Sequence, residues 1–404
     1  MSEKMKDSGV DWIGEIPEGW ETSEIQYKFE QVKRKNIGNQ EKNLLSLSYG
    51  KIIQKDIEKS MGLLPESFET YNIIENGDIV FRLTDLQNDQ RSLRVGLAKE
   101  KGIITSAYQT IRPKNSGEID SRYFFYLFYD YDIQKVFYGM GAGVRQGLTF
   151  EELKRLKIIV PKSLSEQKTI ADHLDKQTSK FDQAQKLLKD EIERLRAYKK
   201  SLIYETVTKG LDKNVQLKDS GVDWIGEIPV GWEVVSLKNI VQIKNGREIE
   251  KSVNKGYPVY GSGGVFKYTD KYLYDGESVL LGRKGTIDNP QYVTGKFWTV
   301  DTSYYTISSG RLCTKLFYYQ SLLFDYQFFQ TGSTLPSMTQ KDLGLIKLPF
   351  PENLLKQEKL VEYLDRKIDI IDKIIKIKGE QFTNLSEQCK TLIYEVVTGK
   401  RKVK

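Results

Sequence analysis

Two glycine-containing loops, GMGAGVRQGLTFEELKRLKIIVP and TGSTLPSMTQKDLGLIKLPFP, each lead into a short charged helix. Thr149 and Thr339 fit the N-cap positions of these helices, where a hydroxyl satisfies an otherwise orphan backbone N–H. Small residues beside a helix start can offer backbone N–H groups to phosphate. Arg145 and Gln146 in the first loop, and Ser333 and Thr334 in the second, add side-chain contacts. A plain connecting turn is the simpler explanation of either loop alone, but its recurrence at the same place in two halves of the chain favours binding. Arg82, Arg91 and Arg94 in the first half, and Arg247, Lys267, Arg283 and Lys284 in the second, extend the set. Arginine pairs bidentately with guanine and an amide such as Gln87 with adenine. Any one of these residues is most simply a solvated charge; together they make a basic face. Tyr49, Tyr108, Tyr260 and Tyr268 lie near glycine or in polar loops, where a ring can touch sugar or base, although most aromatic residues here belong to cores.

Catalytic signatures are sparse. The single histidine, His173, excludes sites that need several imidazoles, and its counterpart in the second half is Tyr363, so a structural role fits it better than that of a base. Asn289-Pro-Gln-Tyr292 superficially resembles the Asn-Pro-Pro-Tyr motif of amino-group DNA methyltransferases, but it lacks the second proline and any glycine-rich cofactor loop, so a turn is expected. GSGG at Gly261 is not GxGxxG, and GxxxxGK[ST] does not occur, which leaves dinucleotide and nucleoside triphosphate binding without support. Cys313 and Cys389 fit neither a disulfide framework nor a metal knuckle and read as small apolar residues. No metal site is expected.

The elements that hold these residues are written twice. Residues 7–20 read DSGVDWIGEIPEGW and residues 219–232 read DSGVDWIGEIPVGW, differing only at Glu18 and Val230. QKTIADHLDKQ from Gln167 pairs with QEKLVEYLDRK from Gln357, and SLIYETVTKG from Ser201 with TLIYEVVTGK from Thr391. The first motif recurs at an offset of 212 and the later two at 190, so the interior is 22 residues longer in the first copy. Matching ends and divergent interiors describe a duplicated frame around two variable modules, too long for a solenoid repeat.

From Ile170 to Val207 there is neither proline nor glycine, and Leu174, Phe181, Leu188, Leu195 and Leu202 recur every seven residues. The second copy carries Leu364, Ile371, Leu385 and Leu392 at one seam position and Ile368, Ile375, Phe382, Cys389 and Val396 at the other, with Lys378 interrupting. A narrow apolar stripe needs a partner, so the two helices are expected to pack on each other as an antiparallel coiled coil; two ordinary core helices are the alternative. A helix of this length spans about 55 Å. The interiors, with GDIVFRL, GESVLLGRKGT and KFWTVDTSYYTIS, read as short strands followed by an aromatic helix. The fold expected is α+β, with two similar globular domains separated by two long helices. The first domain covers 1–160, the first helix and linker 161–212, the second domain 213–350 and the second helix 351–404.

Composition sets limits: 404 residues, 39% hydrophobic, net charge +7, and no apolar run long enough to span a bilayer. The charged first residues lack the apolar core of a signal peptide, so a cytoplasmic protein is expected. The tandem DSGVDWIGEIP-GW motif, the Q-K-I-A-xx-LD helix start and the TGST-P-xxx-KDL loop together resemble the specificity subunits of type I restriction-modification systems, over essentially the whole chain. The resemblance implies a noncatalytic subunit whose two target-recognition domains read the halves of a split site in double-stranded DNA, arranged with pseudo-twofold symmetry. It further implies docking of two methyltransferase subunits, with S-adenosylmethionine, ATP and magnesium bound by partners, and separate restriction subunits that translocate and cut. A related system that modifies or cleaves differently shares these features. A coiled-coil scaffold that binds proteins is the alternative from another class, and it lacks the steep salt dependence of phosphate contacts.

Overall fold

The computed structural model describes residues 4–56, 65–89, 91–140, 147–327, 336–351 and 353–403. Contacts divide the chain into two compact units. Unit 1 comprises Met1–Leu188 with Glu380–Lys404, and unit 2 comprises Lys189–Gly379. The boundaries therefore cut through both long helices rather than falling at their ends.

Unit 1 begins with an antiparallel hairpin, Met5–Asp7 with Glu15–Pro17, followed by a strand Glu21–Glu24 that pairs with Lys157–Val160. A single helical turn, α1 (Ile25–Lys28), leads to a four-stranded antiparallel sheet in the order Phe29–Gln31, Gln109–Pro113, Ile79–Phe81, Val95–Leu97. Helix α2 (Ser121–Ile133) starts at Asp120, whose carboxylate accepts the Arg122 N–H at 2.9 Å. Its Tyr123, Phe124, Leu127, Phe128 and Tyr131 recur at helical spacing and are all buried in the core of the unit. A short helix α3 (Phe150–Leu153) precedes the long helix α4 (Leu164–Lys209).

Unit 2 repeats this order. The hairpin Leu217–Asp219 with Glu227–Pro229 and the pair Glu233–Ser236 with Lys347–Phe350 frame a sheet in the order Val241–Asn245, Ser303–Ser308, Ser278–Gly282, Gln291–Val293. A second four-stranded sheet, with Tyr257–Gly261 parallel to Lys296–Thr299, is built on the hairpin of Tyr257–Gly261 and Gly264–Thr269. The aromatic helix α5 (Thr314–Ser321) is shorter than its twin. The Ser321 hydroxyl bonds the Tyr318 carbonyl at 2.7 Å, and the Tyr326 hydroxyl bonds the Ser321 carbonyl at 2.8 Å. Helices α6 (Gln340–Leu345) and α7 (Leu354–Val397) complete the chain.

Within each unit, segments of α4 and α7 pack antiparallel. In unit 1, Ile170, Ala171 and Leu174 share a core with Ile393, Val396 and Val397, and Leu392 lies against it. In unit 2, Leu202, Ile203 and Val207 pack with Leu360, Leu364, Ile368 and Ile371, joined by Leu195 and Ile375. There Lys199 pairs with Asp372 at 2.7 Å and Lys378 with Glu191, so the interruption in the apolar seam is an ion pair. Phe181, Leu188 and Leu385 are half-buried and Phe382 is 37% exposed. Fully covering a leucine such as Leu174 or Leu364 contributes about 1.5–3 kcal/mol.

The repeated motifs are the joints of this frame. In unit 1, Gln167 is buried; its carbonyl accepts the Asp120 N–H at 2.9 Å and its amide donates to the Glu118 carbonyl at 3.1 Å. In unit 2, Gln357 accepts the Cys313 N–H at 2.8 Å and donates to the Arg311 and Pro351 carbonyls. Asp175 and Asp365, each following the leucine of the same motif, accept the hydroxyls of Tyr126 and Tyr319. The tryptophan motif clamps a helix end in each unit. Gly210 closes α4 at φ +77° beneath Trp232, and Gly399 follows α7 at φ +70° against Pro17 and Trp20.

Candidate nucleic-acid interface

In unit 1 the central strand Ile79–Phe81 runs into a loop that ends at Arg94. Leu83 and Leu86 anchor it from below, while Thr84, Gln87, Asn88 and Arg91 face solvent. Asp85 takes a left-handed conformation at φ +59° and accepts the Asn88 amide at 2.7 Å. Asp89 accepts the N–H groups of Arg91 and Ser92 at 3.2 and 2.9 Å. The Ser92 hydroxyl foremost, then these N–H groups and the charge of Arg94, hold its carboxyl down at about 2. Arg82 is half-exposed and lies 3.8 Å from Asp89.

Arg94 corrects the sequence reading. It is completely buried, with its guanidinium donating to the main-chain carbonyls of Arg82, Thr84, Asp85 and Asp89. The Tyr138 hydroxyl lies 3.4 Å from its Nε, and its own backbone N–H bonds the Asp132 carboxylate. A cation sequestered in this way cannot reach phosphate or base; it shapes the loop instead. Burial pushes the Asp132 carboxyl up to about 6, against the opposing pull of the Arg94 N–H.

The matching loop in unit 2 follows Ser278–Gly282. A side chain at Gly282 would place its Cβ 2.3 Å from the Thr286 carbonyl oxygen, so the turn closes only around glycine. Arg283 is half-buried. It receives the Met338 N–H on its carbonyl at 3.0 Å, and its guanidinium sits 5.9 Å from the centre of the Tyr304 ring. Burial raises the Tyr304 hydroxyl above its usual range, with Arg283 opposing. Lys284 lies 3.8 Å from Asp301 and pairs across the chain with Ser337. A groove lies alongside, walled by Glu248, the hairpin tip Gly261–Phe266 and Val300–Thr302. Arg247 is exposed beside Glu248, its carbonyl held by the Trp298 indole at 2.6 Å, and Lys267 is exposed on the hairpin beyond Phe266. The structure thus gathers Arg247, Lys267, Arg283 and Lys284 around one groove.

Arg145, Gln146, Ser333 and Thr334 lie outside the described residues. Their flanks are tied to the loops just described: the Leu148 N–H reaches the Leu83 carbonyl at 2.9 Å, and the Gly285 N–H reaches the Pro336 carbonyl at 3.0 Å. Thr149 and Thr339 occupy the N-cap positions of α3 and α6, where Glu152 reaches back to the Thr149 N–H and the Thr339 hydroxyl accepts the Asp342 N–H. Tyr49 is 80% exposed on the turn between Leu45–Ser48 and Lys51–Gln54, and Tyr268 is exposed on the unit 2 hairpin; Tyr108 and Tyr260 are half-buried. Asp89, Asp132 and Tyr138 around Arg94, and Glu248, Phe266 and Asp301 in the groove, escape sequence reading. The only hint was the clustering of acids and amides in TDLQND between the arginines.

The family model for the type I restriction modification DNA specificity domain matches residues 17–194 and 229–381, one copy over each half of the repeat. The chain belongs to this family. Two proteins of Methanocaldococcus jannaschii named as type I restriction enzyme specificity subunits, MjaX (a provisional assignment) and MjaVIII, are each 26% identical to it. The alignments cover 97% and 96% of this chain and 96% and 94% of theirs. A solved chain from work on complex assembly and conformational transition of the type I R-M system shares its fold at a TM-score of 0.72. That chain is 15% identical, and the match covers 96% of this chain and 99% of the other. As a DNA specificity protein, the chain carries its variable loops on a frame whose joints are duplicated nearly residue for residue. Among the described residues no helix is long and apolar enough to cross a membrane, and no group of three or more His, Cys, Asp or Glu is placed to hold a metal ion.

Proposed function

We propose that this protein is the noncatalytic DNA-recognition subunit of a cytoplasmic type I restriction-modification complex and reads a bipartite target, one half-site per module. The observation that carries this reading is the contrast between the joints and the loops. Gln167 and Gln357 each accept the backbone N–H at the start of the aromatic helix and donate to the carbonyl two residues before it, whereas the loops after Ile79–Phe81 and Ser278–Gly282 differ in length, charge and anchoring. One frame with two different reading surfaces is what a split, non-palindromic target requires. The basic residues around the unit 2 groove are suited to phosphate and guanine contact, and Glu248 and Asp301 can accept from cytosine or adenine amino groups.

Two methyltransferase subunits dock on the long helices and bind S-adenosylmethionine, while ATP and magnesium serve the restriction subunits. Exposed Ile370, Ile374 and Ile377 on α7, at helical spacing on one face, support a partner of this kind. The paired long helices fix the unread spacer between the half-sites. Methylome sequencing of cells expressing this chain with its methyltransferase, against cells lacking this chain, tests the reading. A split adenine-methylated motif that depends on the chain is expected. An active methyltransferase with no chain-dependent motif overturns it.

A further inference from the structure

We infer that Gln87 is a base-reading side chain of unit 1, directed at an adenine-containing base pair, and that Arg94 is the buried residue that positions it. This rests on the DNA-reading function proposed above and names the side chain that performs it. Burying a cation is unfavourable unless its donors and charge are satisfied. Arg94 satisfies its donors largely within a single loop, on the carbonyls of Arg82, Thr84, Asp85 and Asp89, with the Asp89 carboxylate 3.7 Å away. Its effect is to give that loop one shape.

The outward side chains of the loop show what the shape is for. Leu83 and Leu86 point into the core, and Asn88 is held by Asp85. Gln87 is exposed, and its amide has no hydrogen-bond partner among the described residues. Reading a base edge needs the backbone that carries the reading side chain to be held in place, and a primary amide matches the N6 and N7 of adenine. Devices that serve the frame alone, such as Gln167 and Gln357, occur in both units. Arg94 has no such twin: the unit 2 loop is shaped by Gly282, so the arginine belongs to the variable part of unit 1.

The test uses the full chain in complex with its methyltransferase and a library of targets randomised through both half-sites, sequenced after binding. Gln87→Ala is expected to reduce discrimination about 5- to 150-fold at a single base pair in one half-site, leaving the other half-site unchanged. Arg94→Lys is expected to blur several positions of that same half-site and none of the other, a pattern that general destabilisation does not produce. A wild-type complex that selects a split motif, with Gln87→Ala selecting the identical motif at every position, overturns the inference and leaves the proposed function standing. A wild-type complex that selects no motif overturns both. Should Arg94→Lys fail to fold, the exposed Gln87→Ala and Gln87→Glu decide the matter, the latter expected to shift preference toward cytosine at that position.

Discussion

The loops after the central strands of the two units solve one problem in opposite ways. Unit 1 fixes its loop by adding something, a buried arginine that ties four carbonyls together. Unit 2 fixes its loop by removing something, since at Gly282 the absence of a side chain lets the chain fold back within van der Waals contact of itself. An arginine clamp can hold a long, polar excursion with an interior of its own. A glycine turn can hold only a short one, and it leaves Arg283 and Lys284 half-buried against Asp301, which walls the groove. The difference teaches that the duplicated frame specifies where a reading loop begins, while the means of holding it are free to diverge with the surface it must present.

The largest test of this contrast is Arg94→Met. Removing the guanidinium leaves several part-buried carbonyls without donors and the facing Asp89 carboxylate without its charge partner, and a loss of about 3–5 kcal/mol is expected in the stability of unit 1. Chemical denaturation followed by hydrogen exchange should localise the loss to peptides around residues 82–94, with unit 2 peptides unaffected; uniform loosening of both units would contradict the separate anchoring described here. The reciprocal variant, Gly282→Ala, forces a Cβ against the Thr286 carbonyl and should cost about 1–3 kcal/mol, read in peptides spanning 278–287 and 336–339.

Much of the frame was legible in the sequence, and the reason is physical. Gln167 and Gln357, the tryptophan motifs and the heptad leucines do their work through local spacing and recurrence, and both survive in a linear string. The α+β modules, the paired helices and the caps at Thr149 and Thr339 follow from the same signals. Arg94 was illegible as a structural residue. Its burial depends on Asp132, 38 residues further on, and on a loop whose carbonyls converge only after the sheet has formed. In one dimension it is an arginine among polar residues, indistinguishable from Arg91, which is exposed. The groove of unit 2 was half-legible: its basic residues were visible by type, but Glu248, Phe266 and Asp301 meet only through the parallel pairing of Tyr257–Gly261 with Lys296–Thr299.

If the frame is truly common to both units, its joints should respond alike where the loops do not. Gln167→Ala and Gln357→Ala each leave a backbone N–H without its acceptor, that of buried Asp120 and that of part-buried Cys313 respectively. Each is expected to cost about 1–3 kcal/mol, with the two values agreeing within about 1 kcal/mol. A large inequality, measured by urea titration of the two single variants, would show that the joints have diverged as the loops have.

The smallest expected effect separates the aromatic helices. Helix α2 buries two carboxyls, with burial pushing Asp130 up to about 7 and Asp132 to about 6, whereas the buried polar side chains of α5 are the neutral Thr314, Gln320 and Ser321. A carboxyl whose folded value lies above its unfolded one binds protons more tightly in the native state, so its contribution to stability is fully present below about pH 4 and is lost as pH rises through 6 to 7. Unit 1 should therefore weaken between pH 4 and 7 relative to unit 2, which lacks this pair. Asp130→Asn keeps an acceptor for the Gln134 amide, which lies 2.8 Å from the carboxylate, and removes the charge. It is expected to raise the stability of unit 1 at pH 8 by about 1–2 kcal/mol and to flatten its pH dependence, while leaving its behaviour near pH 4.5 unchanged. Unit-resolved hydrogen exchange at several pH values would measure both slopes. Equal slopes in the two units of the wild-type protein would mean that the buried carboxyls of α2 stay hydrated and that the two aromatic helices are held alike after all.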